Sequence, residues 1–551
     1  MTPDADKPLQ TRLALLGVWM VCTLINVGKA AHIDDAAHLE IARWIAEHPL
    51  HPMQGIVQWG EHAEPIHHLN QPHLFFYLLA LVRVVFGPSL IAAQLLVSIF
   101  VALGVGAFHR LWRQLVGQRG SVLGPALLFL GPAFVPGQNI MTDAPLLALW
   151  CAFAAALVHA RGPHIARGLW LAGVFVAAAC LVKYTSLVLL PVLALDLVLR
   201  GREGQRHIPV LFVPVFALAA WSLFNFVDYG GVHLLERPIA TAHFSALEAV
   251  GITLGRGALW VVTLGATLPF SIALIPSLRE DARWRRGGLV ALAGVVLLTF
   301  ATQLVATQVE PLRGEAILVS LMRSLFFVVG VAAFVLFGGA MRSRANASPD
   351  DARAITVLGA LFVITTLFVV VLSPFVAVRH VLLVLPLWML LVARTHLDAL
   401  SAPSARPFLI LATAITTLLG IMLGFSDRRW AERYRIVAEA EGAREGRTFF
   451  VGHWGWQWHA AEAGLMPYEP NVTVLEVGDQ LVRPLLVDQP HLTELDRARM
   501  ELQRTLAEPA TPLDFLRTTT ARPGYYAVWQ GLPYTISLAP SEVFEVYEVI
   551  R

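Results

Sequence analysis

The run HLFFYLLALVRVVFG, His73–Gly87, decides the topology of this chain, being apolar enough to enter a bilayer and too short to cross one. A crossing helix needs about 20 predominantly apolar residues. This run carries Arg83 and is bounded by Pro72 and Pro88, so it reads as an interfacial or re-entrant segment. Were it to cross, every later loop would change sides.

Outward from it, the composition sets the class. Of 551 residues, 56% are hydrophobic and 15% charged, with a mean hydropathy of +0.62. Soluble domains carry about 25% charged residues, so the chain reads as mainly α, a polytopic membrane helical bundle. A net charge of +2 excludes the basic footprint of a nucleic-acid partner. Cys22, Cys151 and Cys180 all fall in apolar runs, which argues against a disulfide framework or a thiolate metal site. The N-terminal segment has Lys7 and Arg12 before its apolar run and no small-residue cleavage site, the pattern of an uncleaved first span.

Length and hydropathy place about thirteen spans, at 12–29, 89–108, 121–137, 144–160, 168–182, 184–199, 209–227, 257–276, 288–308, 318–340, 354–374, 378–393 and 407–425. Cytoplasmic loops hold the excess of Lys and Arg. With 73–87 not crossing, Arg110, Arg113, Arg119, Arg161, Arg167, Arg200, Arg202 and Arg206 fall inside, against a sparse outer set that includes Lys29, Lys183, Arg237 and Arg379. The expected protein sits in the cytoplasmic (inner) membrane with its N-terminus cytoplasmic. It has a transmembrane domain over 1–425, a large first outer loop over 30–88, and a soluble extracytoplasmic α/β domain over 426–551. In that last domain RTFFVG, NVTVLEV, RPLLV, GYYAVW and VFEVYEV read as strands, and GWQWHAAEAG and LTELDRARMELQRTLAE as helical or turn-rich segments.

Ionisable residues at membrane depth are costly and mark cavities or pathways. On the outer side the first loop opens with Asp34 and Asp35 in HIDDAAHLEI, and TDAPLL places Asp143 at the mouth of a span. Asp is also a favoured helix N-cap, and capping is the plain alternative for each. LVKYTSLVLLP puts Lys183 and Tyr184 in an outer turn, and SPFVAVRHVLLVLPLW puts Arg379 and His380 at an outer span end. Snorkelling to headgroups is the plain alternative for these cations; binding an anion such as phosphate is the other.

Those four motifs, in that order, resemble the GT-C class of membrane glycosyltransferases that take sugars from polyprenyl phosphates, among them the protein O-mannosyltransferases and the lipid A aminoarabinose transferases. The resemblance covers roughly 1–425. It implies that Asp34 accepts the proton of the acceptor hydroxyl or phosphate, with Asp35 standing where relatives carry Glu. It further implies that Asp143 shapes the donor and acceptor site, and that Lys183, Tyr184 and Arg379 hold the donor phosphate. Two positions depart from the pattern: NQP, Asn70–Pro72, lacks the lysine of the aminoarabinose transferases, and His380 replaces a Tyr.

The expected activity is transfer of a sugar from a polyprenyl-phosphate donor to a lipid, glycan or protein acceptor, with an Asp base and inversion at the anomeric carbon. Ala, Leu and Val abundance and Arg over Lys suggest a GC-rich bacterial genome and tilt the carrier toward undecaprenyl phosphate. The first loop is also rich in histidine: His32, His38, His48, His51, His62, His67, His68 and His73, beside Glu61 and Glu64. His67, His68 and Glu64 are therefore candidate ligands for a divalent metal, although no fixed spacing such as HExxH is present. Trp59, Trp454, Trp456 and Trp458 lie outside the spans and read mainly as interface or core residues. The rival functions are a transporter or flippase, and a non-catalytic polyprenyl-lipid-binding subunit. Against the first, no internal repeat is visible and the ionisable residues cluster on one face.

Overall fold

The computed structural model describes residues 8–58, 63–69, 71–236, 245–280, 282–306, 317–487, 492–509, 511–519, 524–528 and 531–551. Trp59, Glu61, His62, Asn70 and Arg237 lie outside them. The chain is a multi-pass membrane protein whose helical bundle is followed by a smaller α/β region.

Helix α1 (Pro8–Asn26) leads to a layer built from α2 (Asp35–Glu47), the hairpin β1 (Ile56–Gln58) and β2 (Ala63–Pro65), and α3 (Leu74–Phe86). At 1.5 Å per residue α3 is about 20 Å long, short of a hydrocarbon core of about 30 Å. It buries Phe75, Phe76, Leu79 and Ala80 and leaves Leu81, Val84, Val85 and Phe86 exposed, an apolar stripe suited to a lipid surface.

The bundle continues through α4 (Leu90–Leu115), α5 (Leu123–Phe129), α6 (Asp143–His159), α7 (Ile165–Val182), α8 (Leu189–Leu199), the single turn α9 (Arg202–Gln205) and α10 (Phe212–Tyr229). The stretch 121–137, expected as a span, yields only α5. Gly131, Pro132, Pro136 and Gly137 stop the helix. The irregular backbone that follows is buried at 131–136, where other protein segments replace the lipid it could not face.

Next come α11 (Ala246–Ala266), α12 (Ile275–Glu280), α13 (Ala282–Ala306), α14 (Ile317–Arg342), α15 (Pro349–Leu367), α16 (Val378–Thr395), the short α17 (Leu397–Ser401) and α18 (Arg406–Gly442). The expected span 257–276 is displaced. A Ser245–Glu248 capping box starts α11 earlier, and the chain turns at Thr267 and Leu268 before Pro269. Among the described residues nine helices are long and apolar enough to cross a membrane, and 143–159, 184–199 and 290–304 are among the shorter apolar ones.

Two glycines let α11 and α14 touch. A Cβ on Gly265 would stand 1.8 Å from the carbonyl oxygen of Phe326, and one on Gly330 would stand 2.0 Å from that of Val261. Close backbone approach through small residues is the usual glue between membrane helices.

At one end of the bundle Asp196 pairs with Arg200 and Arg353, and Asp351 pairs with Arg161 and Arg394. Of these arginines, Arg161 and Arg200 belong to the group read from the sequence as lying inside. Helix α7 carries the chain from that end to Lys183.

The boundary expected at 425/426 falls inside α18, which runs unbroken for 37 residues into the C-terminal region. There a five-stranded mixed sheet has the order β4 (Met466–Pro467), β3 (Thr448–Phe450), β5 (Gln480–Pro484), β9 (Val543–Val549), β6 (Met500–Ala507). A second, two-stranded pair joins β7 (Leu516–Arg517) to β8 (Thr535–Ile536). Helix α19 (Trp454–Glu462) buries Trp456 and Trp458.

RTFFVG, RPLLV in part, VFEVYEV and GWQWHAAEAG thus form the elements read from the sequence. NVTVLEV and the described part of GYYAVW, 524–528, do not form strands, and only α20 (Glu494–Arg499) of LTELDRARMELQRTLAE is helical. The rest of that segment is edge strand β6, which pairs with β9 through a register shift between Leu502 and Arg504. Tertiary pairing there overrides the helix preference of Met, Glu, Leu and Gln.

Candidate active site

Four segments distant in sequence bring their charges together where α2, α6, α7 and α16 begin or end. Asp34 occupies the N-cap position of α2, yet its side chain makes no capping hydrogen bond. Instead Arg379 Nη1 donates to Asp34 Oδ2 at 2.9 Å. Asp143, in the first turn of α6, accepts from Lys183 Nζ at 3.3 Å, and it also lies within electrostatic reach of Arg379 and His380. The capping and snorkelling alternatives therefore do not describe these residues: each carboxylate is held by a cation from another element. The Arg379 guanidinium lies 5.5 Å over the Phe375 ring, and its buried Nε donates to no acceptor among the described residues.

Backbone geometry fixes the first of these acids. Ile33, a β-branched residue, sits at φ 48° directly before Asp34. Such residues avoid the left-handed region, so surrounding packing imposes the turn, and strain of this kind collects at functional sites.

Asp35 faces away from its neighbour. Its Oδ2 accepts from the His32 backbone N–H at 3.0 Å, and the Ile140 backbone also acts on this carboxyl. Burial pushes the Asp35 carboxyl up to about 8 against the opposing pull of Lys29. This environment favours the neutral form of Asp35. Burial likewise holds His32 and His38 below the usual imidazole range. His38 Nδ1 lies 2.8 Å from the Ile140 carbonyl oxygen, tying α2 to the irregular segment before α6.

Behind the acids lies a network that sequence reasoning did not identify. Lys29 Nζ donates to Asp427 Oδ2 at 2.5 Å and to Asn139 Oδ1 at 2.6 Å. Thr518 Oγ1 and Tyr526 OH each donate to Asp427 at 2.7 Å, and Asn139 Nδ2 donates to Tyr526 OH at 2.9 Å. His32 Nε2 lies 3.5 Å from Asp427 Oδ1. Lys29 at the lip of the first span and Asp427 within GFSDRR were the available signals: two lone charges at the ends of apolar runs.

The remaining candidates are placed elsewhere. Tyr184 OH lies 2.9 Å from His233 Nδ1 and accepts from Trp221 Nε1 at 3.0 Å. His68 Nδ1 stands 3.4 Å from Glu64 Oε2, and the His67 ring stacks on Tyr229 at 4.5 Å. These residues and Glu236 line an open cleft of about 700 Å³. Among the described residues no three His, Cys, Asp or Glu side chains converge as a metal site. The other loop histidines are dispersed: His48 stacks on Trp44 at 3.8 Å, and His51 pairs with Asp228 at 3.1 Å.

Residues 70–225 match the family model described as dolichyl-phosphate-mannose-protein mannosyltransferase. That segment holds Asp143 and Lys183, and the match agrees with the resemblance read from the sequence. No curated protein matches the chain. Among solved structures, the archaeal oligosaccharyltransferase AglB from Archaeoglobus fulgidus, in complex with an inhibitory peptide and a dolichol-phosphate, is 13% identical with a TM-score of 0.45. The alignment covers 82% of this chain and 64% of that one, so this chain spans less than two thirds of its length. ArnT from Cupriavidus metallidurans, bound to undecaprenyl phosphate, is 13% identical with a TM-score of 0.41, covering 86% and 92%. The arabinofuranosyltransferase AftD from Mycobacteria is 14% identical with a TM-score of 0.42, covering 100% and 40%.

Proposed function

We propose that this chain transfers a sugar from a polyprenyl-phosphate carrier to an acceptor hydroxyl or phosphate at the outer face of the cytoplasmic membrane. The observation that carries this reading is the meeting of Asp34 with Arg379 and of Asp143 with Lys183, two acid–cation pairs in one buried cluster. The family match over 70–225 supports it.

The step needs a base on the attacking oxygen and positive charge on the leaving phosphate. Asp34 takes the proton of the acceptor hydroxyl as that oxygen bonds to the anomeric carbon. The bond from that carbon to the phosphate oxygen breaks, and the leaving polyprenyl phosphate is received by Lys183 and by Arg379, whose Nε is unclaimed. Asp143 holds the Lys183 ammonium in place. One displacement with one base inverts the anomeric centre.

The test is release of polyprenyl phosphate from a panel of polyprenyl-phosphate sugars by purified wild type and Asp34→Asn in the same detergent. Loss of a general base lowers rates by about 10²- to 10⁴-fold. The expected result is turnover of one donor by wild type and a loss of that order in the variant, with undecaprenyl phosphate still bound. Equal turnover by both proteins, or a product of retained configuration, rules out the one-base scheme.

A further inference from the structure

Around Trp221, which donates to Tyr184, the protein contains polar groups that have no partner among the described residues. Helix α10 turns Trp221, Asn225 and Asp228 to one face, as the spacing of three and four residues requires. Asp228 is fully engaged, by His51 and by the Met53 backbone N–H. Asn225 is wholly buried, and among the described residues neither its amide nitrogen nor its oxygen has a partner. His73, at the start of α3, is also wholly buried, with both ring nitrogens unpartnered among the described residues, and its ring centroid lies 5.5 Å from that of Trp221 and 5.2 Å from that of Phe76. Gln71 Oε1 is a third buried orphan two residues earlier. The residues around them are paired: Trp221 and His233 to Tyr184, and His233 Nε2 to the Leu69 carbonyl.

Leaving a buried polar group unsatisfied costs about 1–3 kcal/mol, and such groups in native folds call for an explanation. Several in one place, against an indole and a phenyl ring, describe an environment for a ligand that is neutral, bears several hydroxyls and has an apolar face. A neutral imidazole and a primary amide each offer a donor and an acceptor. Burial holds His73 well below the usual imidazole range, so the cluster adds no charge of its own. Tyr184, bonded to Trp221, is the residue after Lys183, so one step of backbone separates this cluster from the cation assigned to the phosphate.

We propose that His73, Asn225 and Trp221 form the subsite for the sugar ring of the lipid-linked donor, and that the ring it takes is a neutral hexose or pentose rather than an amino sugar. The proposal rests on the reading of Lys183 and Arg379 as the phosphate site.

The test measures binding of undecaprenyl phosphate and of its mannosyl, glucosyl, arabinofuranosyl and 4-amino-4-deoxyarabinosyl derivatives to the full-length protein in detergent. Wild type is compared with Asn225→Leu and His73→Phe. One neutral-sugar lipid is expected to bind about tenfold or more tighter than the bare lipid, the equivalent of about one satisfied buried group. Each variant abolishes that preference, keeps the affinity for undecaprenyl phosphate, and shows an unchanged or raised Tm, because an orphaned polar group has been replaced by an apolar one. If Asn225→Leu does not fold, Asn225→Ala gives the same readout without added bulk. Variants that keep the preference overturn the subsite, as does a wild type that prefers the amino sugar or binds bare and glycosylated lipids alike. In those cases binding of undecaprenyl phosphate that depends on Lys183 leaves the phosphate site standing. Failure of the wild type to bind undecaprenyl phosphate at all removes both readings.

Discussion

Arg379 and Asp34 are separated by 345 positions and meet at 2.9 Å, so the first loop acquires its acidic residue in working position only when α16 is packed in the bundle. The pair is one-sided: among the described residues Arg379 has a further donor to offer, while Asp34 has no other cation as close. Arg379→Gln is expected to weaken undecaprenyl phosphate binding by about tenfold or more and to lower Tm, since removing one partner of a buried pair costs about 3–5 kcal/mol. Arg379→Lys restores part of the stability but less of the affinity, because an ammonium lacks the guanidinium fork. Equal affinity in wild type and Arg379→Gln would remove Arg379 from the phosphate site.

Asp35 predicts a pH signature opposite to that of a paired carboxylate. Its folded-state value of about 8 lies above an unfolded value of about 4. Between those values the folded chain binds the extra proton, so its contribution to stability is complete below about pH 4 and declines as pH rises toward 8. Thermal unfolding of Asp35→Asn across pH 4 to 9 should show a flatter profile than wild type and a higher Tm at the alkaline end. Parallel profiles would mean that Asp35 is ionised in the folded state.

Lys29 and Asp427 should behave as a unit. Lys29→Met strands a buried carboxylate and is expected to destabilise by about 3–5 kcal/mol, as is Asp427→Leu by stranding the ammonium. The double variant should recover part of that loss, giving a coupling energy of about 0.5–3 kcal/mol. Additive losses in a double-mutant cycle would show that the two charges are satisfied independently.

The glycine contact between α11 and α14 makes a purely steric prediction. Gly265→Ala and Gly330→Ala drive a Cβ into backbone oxygen and should each lower Tm, at a cost of about 1–3 kcal/mol. Gly251→Ala, where a Cβ meets nothing within 4 Å, should leave Tm unchanged or raise it. Equal melting of all three variants would mean that the helices separate without cost.

What could be read from the sequence follows from how local each signal is. Asp34, Asp143, Lys183 and Arg379 stand out because charge is rare beside apolar runs, and the structure gathers these four into one cluster. Tyr184, adjacent to Lys183 in sequence, points the other way, because the 3₁₀ turn Tyr184–Val188 rotates successive side chains apart. The network on Asp427 depends on contacts 398 positions apart with Lys29 and 99 with Tyr526, which no window of sequence contains. Hydropathy overstates 121–137, since it registers apolar character and not the prolines that break the helix. In the C-terminal region β6 has the composition of a helix and becomes a strand only because β9 lies alongside it.

The unbroken course of α18 has a consequence for how this architecture can be recombined. At about 55 Å the helix is both the last helix of the bundle and the first element of the α/β region, and Asp427 lies at the join. Replacing everything after 425 with the corresponding region of another protein would remove the counter-charge of Lys29 together with the hydroxyls of Thr518 and Tyr526. A functional chimera must therefore transfer the helix, the threonine and the tyrosine as one inherited block, or change the first loop to suit its new neighbour.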